Sequence, residues 1–187
     1  MTPDFSELVQ EALAYKADYA AIVKSEQIKF VADFRKACEQ NSCGKYNKNW
    51  MCPPAVGPLE ELKERAGRFR QGLLFQTVHT IKSSFDWKGM MAAAKIHDGV
   101  FRNILGVIKA KYNFAAILPL SAGACIFCDK CAYVEGEPCR FPEQALASVE
   151  AYGIDVMNLE KACGIPYYNG KNTVSYVGLI LFNTNEL

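Results

Sequence analysis

The sequence predicts an α/β fold, or an α+β one, in which helices pack on a single sheet of at least four strands. Short apolar segments have the composition of strands, and longer segments repeat their apolar residues at helical spacing. The two kinds of segment alternate along the chain, which is typical of helices layered on a sheet. The order of the strands does not follow from the sequence.

Strands are predicted for four segments. They are residues 19–24, 72–81, 113–120 and 173–182. The second and the last are apolar on both faces, which predicts that they lie in the middle of the sheet. If the second and third strands are neighbours, the helix between them makes a parallel, right-handed connection.

Helices are predicted for most of the segments between the strands. They are residues 2–13, 58–70, 86–111, 142–152 and 155–162. The first has a capping hydroxyl at Thr2, a proline in its first turn and an acid at its positive end. Residues 30–39 can form a further helix, whose apolar face would carry Cys38 toward the interior.

Composition narrows the class of protein. The chain has 187 residues, which predicts one domain over 1–187, and half of them are apolar. With 21 basic and 20 acidic residues it has no basic stripe, which argues against nucleic acid or an anionic membrane as partner. The start has no signal-peptide pattern and no apolar run is long enough to span a membrane, so we expect a cytoplasmic protein. In that reducing compartment eight cysteines favour metal binding over disulfides.

The prediction of function rests mainly on the segment GACIFCDKCAYVEGEPCRFP. Its cysteines, Cys125, Cys128, Cys131 and Cys139, are separated by two, two and seven residues. Two successive two-residue gaps curl the backbone around one hollow, and bacterial ferredoxins have the same first three cysteines. The spacing therefore predicts a [4Fe-4S] cluster, and the interleaved Lys130 and Arg140 suit its negative charge. Zinc is the alternative, although structural zinc sites usually pair two separated Cys-x-x-Cys units.

A second group of cysteines, Cys38, Cys43 and Cys52, lies in an irregular loop rich in asparagine. Its lysines supply positive charge, and Tyr46 and Trp50 would shield a metal centre from water. Three cysteines so close together, beside a second such group, are unusual for inert thiols. The alternative is a surface loop with three free thiols, in which Trp50 anchors the core.

Three other residues remain candidates. His79 lies on a predicted strand and His97 within the apolar stripe of the longest helix. Histidines in such positions are more often hydrogen-bonded in place than ligands. Cys163 is isolated, which favours a buried small apolar residue. The alternative is that it supplies the fourth ligand of the three-cysteine group.

Two segments together resemble the uncharacterised family of small, cysteine-rich predicted metal-binding proteins of anaerobic bacteria and archaea, classed as a domain of unknown function. They are CGKYNKNWMCPPAVGPLEEL and GACIFCDKCAYVEGEPCRFPEQALASVEAYGIDV. The resemblance covers almost the whole chain. It implies an iron–sulfur protein of anaerobes, but it implies no reaction. The candidate ligands it carries over are Cys38, Cys43, Cys52, Cys125, Cys128, Cys131 and Cys139.

Seven ligands in groups of three and four are compatible with one or two [4Fe-4S] clusters. Three functions follow from them. The first is electron transfer to or from a partner redox enzyme. The second is an enzyme that uses the open iron of a three-cysteine cluster as a Lewis acid. The third is a zinc-binding scaffold or a carrier of metal or clusters.

Overall fold

The computed structural model describes residues 5–185. Within this range one mixed sheet of five strands is surrounded by five α-helices, which confirms the predicted α/β architecture. The strands are β1 Tyr19–Lys24, β2 Gln71–Thr80, β3 Phe114–Ser121, β4 Ala147–Ser148 and β5 Thr173–Thr184. The helices are α1 Ser6–Ala14, α2 Ala32–Glu39, α3 Leu59–Gly67, α4 Trp87–Lys111 and α5 Val156–Ala162. The predicted cap and proline at Thr2 and Pro3 lie outside the described residues.

The sheet has the strand order β1-β2-β5-β3-β4. Every pair of neighbours is antiparallel except β3 and β4. The C-terminal strand β5 is inserted between β2 and β3, so these two run parallel to each other but are not neighbours. The condition for a direct β-α-β connection is therefore not met. Both strands with two apolar faces, β2 and β5, are central as predicted.

Alternation along β5 divides the core into two layers. Ile180 and Phe182 face a cluster with α1 and α4, whereas Leu179 and Leu181 face a cluster with α3 and α5. Both layers are fully buried at these positions. Because successive side chains point to opposite faces, an uninterrupted apolar run is what a strand covered on both sides requires.

The predicted helix over 142–152 is wrong. Pro142–Gln144 forms one 3-10 turn, and the two-residue strand β4 follows it. The Ser148 hydroxyl accepts a hydrogen bond from the Ala151 amide, and the Val149 amide donates to the Ser121 carbonyl. A serine that binds nearby backbone competes with helix formation. Residues 146–152 are all buried except the half-buried Glu150, so no one-sided pattern could separate a helix from a buried turn.

Among residues 5–185, no helix is both long and apolar enough to cross a membrane.

Candidate functional site

The four-cysteine loop begins where β3 ends, at the edge of the sheet that also holds the N-terminal end of β5. Cys125, Cys128, Cys131 and Cys139 are all half-buried and line one hollow. The chain returns to Cys139 through a 3-10 turn at Ala132–Glu135, which ends at Gly136 with φ of 74°. Glycine adopts this left-handed conformation without a steric penalty. The four cysteines that the spacing grouped are thus brought together.

The two cations of this loop share one carboxylate. Glu135 binds Lys130 at 2.9 Å and Arg140 at 2.5 Å, and Arg140 also donates to the Lys130 carbonyl at 3.0 Å. The hydrogen bond from Lys130 is the main cause that lowers the pKa of Glu135. The triad therefore leaves a net single positive charge beside the hollow, less than the two cations suggest from the sequence.

Aromatic residues close the rim of the same hollow. Phe127 and Phe141 meet edge to face with ring centroids 5.1 Å apart, and the guanidinium of Arg102 lies 4.5 Å from the Phe127 ring. A cation over an aromatic face is a favourable contact. These contacts tie the loop to α4, on which Arg102 lies.

The second group of cysteines begins on α2, the helix that residues 30–39 were predicted to be able to form. Cys38 lies in its last turn, half-buried, while Cys43 is exposed and Cys52 is buried in the loop beyond. Burial, followed by the nearby thiols of Cys43, Cys38 and Cys125, raises the pKa of Cys52 to about 12. A bound cation would displace this proton, because a metal ligates the thiolate.

Arg35 is a positioning residue that sequence reasoning missed. It is buried, and its guanidinium donates to the carbonyls of Ala151 and Gly57, each at 2.9 Å. It thereby fastens α2 to two distant loops, one turn before Cys38. The available signal was the spacing, since residues 35 and 38 lie on the same face of a helix.

Direct contacts join the two cysteine loops. The Asn49 side chain donates to the Cys125 carbonyl at 2.9 Å, and the Trp50 indole donates to the Glu137 carbonyl at 3.0 Å. The rings of Trp50 and Tyr133 meet edge to face at 4.9 Å. Both groups therefore lie at one end of the sheet, as predicted, and Trp50 packs against the four-cysteine loop rather than in the main core.

The three-cysteine group lines a large cavity of about 1050 Å³, which we call the chamber. Cys38, Cys43, Cys52 and also Cys125 belong to its wall, and the chamber continues along β5 to α4 and α5. Glu150 lies in the same wall and accepts a hydrogen bond from the Gly123 amide at 3.2 Å. Burial raises the pKa of Glu150.

The cysteines are not gathered around a single point. Among residues 5–185, no three Cys, His, Asp or Glu side chains are arranged to hold one metal ion. Tetrahedral zinc needs its sulfurs about 2.3 Å from one centre. A cubane cluster instead binds each cysteine at a separate iron, so its ligands surround a wider hollow.

A family model described as predicted metal-binding protein (DUF2284) matches residues 21–182. The chain belongs to this family. The match runs from β1 almost to the end of β5 and includes both cysteine loops, which confirms the resemblance drawn from those two segments. No curated protein and no solved structure matches the chain significantly.

The two histidines of this DUF2284 protein lie on β2 and α4, and His97 also lines the chamber. The Thr77 hydroxyl joins them, 2.8 Å from His97 Nδ1 and 2.9 Å from His79 Nε2. Cys163 follows α5, packs against the core and lines neither the hollow nor the chamber. The structural roles that the sequence favours for these three residues stay predictions.

Acidification should destabilise the protein through His97. The residue is only 2% exposed, and burial lowers its pKa to about 4 although the Val177 backbone partly opposes the shift. In the unfolded chain His97 takes up a proton near pH 6.5. The stability that its neutral form contributes is therefore fully present above that pH and is lost as the pH falls toward 4. We expect the protonation of His97 to lower the free energy of unfolding by about 2 kcal/mol between about pH 7 and pH 5.

Denaturant unfolding of the unchanged protein and of His97→Asn at several pH values measures this loss. The difference between the two unfolding free energies should shrink by about 2 kcal/mol on acidification. A difference is needed because Glu160, whose pKa is raised, has the opposite pH dependence in both proteins. A difference that does not change with pH would show that His97 has the same pKa in the folded and unfolded states.

Proposed function

We propose that this protein binds a [4Fe-4S] cluster in each of its two cysteine groups and transfers electrons to or from a partner redox enzyme. The observation that carries the proposal is the convergence of Cys125, Cys128, Cys131 and Cys139 on one hollow. When bound, each cluster would supply a one-electron couple, through which one electron could pass from a reduced partner to an oxidised one while the cysteines keep their bonds.

The surroundings of the four-cysteine hollow support this proposal. Lys130, Arg140 and Glu135 supply a net positive charge, which offsets part of the negative charge that four thiolates give a cluster. The Phe127 and Phe141 rings restrict water at the rim. Charge and solvent access both set the reduction potential of a cluster, so these residues would tune it.

The link between the loops supports two neighbouring clusters. Asn49 and Trp50, which lie between Cys43 and Cys52, bind the backbone of the four-cysteine loop directly. Electrons entering at one cysteine group would thus have a short path to the other. The partner enzyme would dock at this end of the sheet.

A specific observation also favours the second function, an open iron acting as a Lewis acid. Cys38, Cys43 and Cys52 supply three ligands, and they face a chamber large enough for a small molecule. A cluster held by three cysteines keeps one iron available to a substrate atom. The two functions are compatible, because the four-cysteine group could supply electrons to the three-cysteine group.

Metal analysis of protein purified without oxygen tests the proposal. Two cubanes predict about eight irons and eight sulfides per chain, with an EPR signal after reduction. Added cyanide should alter the signal of a cluster that has an open iron and leave a fully ligated one unchanged. Stoichiometric zinc without sulfide would overturn both functions and establish the zinc scaffold instead.

A further inference from the structure

The inner wall of the chamber contains polar side chains that are not among the candidate metal ligands. Its volume of about 1050 Å³ is at the upper end of the range for small-molecule sites. Beyond the cysteines it is lined by side chains of β2, β5, α5 and the loop that precedes β5. Three of these, Gln76, Glu160 and Asn169, form one hydrogen-bonded network.

The network is tightly connected. Gln76 Nε2 donates to Glu160 Oε1 at 2.5 Å and to the Pro166 carbonyl at 3.0 Å. Asn169 Nδ2 lies 2.9 Å from Gln76 Oε1, 2.9 Å from Ser175 Oγ and 3.2 Å from the same Pro166 carbonyl. A carbonyl can only accept, so Pro166 determines which end of each amide is the nitrogen.

The unused hydrogen-bonding capacity of this network consists of acceptors. Both hydrogens of the Gln76 amide and both of the Asn169 amide already have partners. Among the described residues, the second carboxylate oxygen of Glu160 and the Asn169 side-chain oxygen accept no hydrogen bond. Both residues line the chamber, so these oxygens can accept hydrogen bonds from a donor on a ligand bound there.

The charges of the side chains that line the inner end of the chamber favour a positively charged donor. Glu160 is 1% exposed and has no basic side chain as partner among residues 5–185, and burial raises its pKa to about 7. His97, also in the wall, is held neutral, and Asp98 is neutralised by Arg102 at 2.7 Å. The cation of the wall, Lys45, belongs to the cysteine loop. The inner end of the chamber thus holds an acid but no resident cation.

The outer wall is apolar and aromatic. Met90 and Met91 line it, and Trp87 and Tyr168 are 68% and 74% exposed, which is unusual for such large side chains. Aromatic faces attract cations as well as apolar groups. Methionines adapt to ligands of different shape.

We propose that the chamber binds a small organic molecule that carries a protonated amine. Its ammonium group would donate to the free oxygens of Glu160 and Asn169, and its apolar body would pack on Met90 and the aromatic rim. Cysteines line another part of the chamber, but none of the side chains proposed to contact the ligand is a cysteine, so the inference stands whether or not the protein carries iron–sulfur clusters.

Three probes of similar size and different charge test this proposal. They are 2-phenylethylamine, 2-phenylethanol and 3-phenylpropionate, titrated into the full chain purified without oxygen and followed by calorimetry. We expect the amine to bind at least about tenfold more tightly than the other two, because a hydrogen bond to a charged group contributes about 1.5–3 kcal/mol.

The variant Glu160→Gln should reduce the affinity for the amine by about 10- to 100-fold and leave that for the alcohol unchanged. Its amide oxygen still accepts from Gln76, so the network survives. Glu26→Gln, at an exposed acid outside the chamber, is the matched control and should change nothing. Iron measured on the same samples distinguishes a lost cluster from a lost ligand site.

The proposal is overturned if the three probes bind alike, if none binds, or if Glu160→Gln retains the amine preference. Should Glu160→Gln fail to fold, Tyr168→Ala provides the test, because that side chain is mostly exposed and its removal does not threaten the core. It should weaken the amine about threefold and the alcohol less, since an exposed cation–π contact contributes about 0.5–1 kcal/mol.

Discussion

Protein that carries Cys128→Ser should contain about half of the iron and sulfide of the unchanged protein when both are purified without oxygen. Cys128 is the middle of the three closely spaced cysteines and lines the hollow with the other three. A serine oxygen is a poor substitute for a thiolate, which iron–sulfur clusters require. The loss of about four irons and four sulfides would leave the cluster of the other group in place.

Two further variants make this prediction specific. Cys52→Ser should remove the complementary half, and the double variant should remove all of the iron. Cys163→Ser is the matched control, because Cys163 lies in neither group and should keep the full content. If Cys128→Ser loses all the iron while Cys52→Ser loses none, the protein holds a single cluster and the two-cluster proposal fails.

Replacing Gly178 with alanine should reduce the free energy of unfolding by about 3 kcal/mol, because the added methyl group overpacks the core. A Cβ atom at Gly178 would lie 2.2 Å from the Phe75 ring and 2.7 Å from the Phe101 ring. Both rings are completely buried between β5 and α4, so neither can move aside without disturbing the layer. Chemical denaturation monitored by circular dichroism measures the effect.

A matched substitution separates crowding from the general effect of losing a glycine. Gly106→Ala, on the exposed side of α4, meets nothing within 4 Å and should stabilise the protein by about 1 kcal/mol. The double variant Gly178→Ala/Phe101→Leu replaces one of the opposing rings with a smaller side chain. Its loss of unfolding free energy should be less than the sum of the losses in the two single variants. Strict additivity would show that the glycine serves another purpose.

Local sequence patterns predicted most of the secondary structure. The β1 strand has the predicted bounds, and α4 differs from its predicted range by one residue because Asp86 caps it from outside. These elements have a signal that depends on a few neighbouring residues, such as an apolar repeat or a capping carboxylate. β4 is two residues long and pairs with residues 27 positions earlier in the chain, as in the pair Ser121 and Ser148, so no local pattern could reveal it.

The candidate site was predictable only in part. The cysteine spacing grouped Cys125 with its three neighbours because a loop of 15 residues is short enough to bring them together. Arg35 was not found, since its partners Ala151 and Gly57 are backbone carbonyls that leave no trace in the sequence. Glu160 was missed for a similar reason: its partner Gln76 lies 84 residues away on the chain.

The sequence by itself therefore determined which residues are apolar on one face or two, where the chain turns, and which thiols lie close enough to share a metal centre. Only the tertiary structure decided that β5 separates β2 from β3, that the two cysteine loops meet, and that an acid without a cation faces the chamber. The first set depends on spacing along the chain, which the sequence records directly. The second depends on contacts between residues far apart in sequence, which arise only when the sheet orders its strands and the helices close over it.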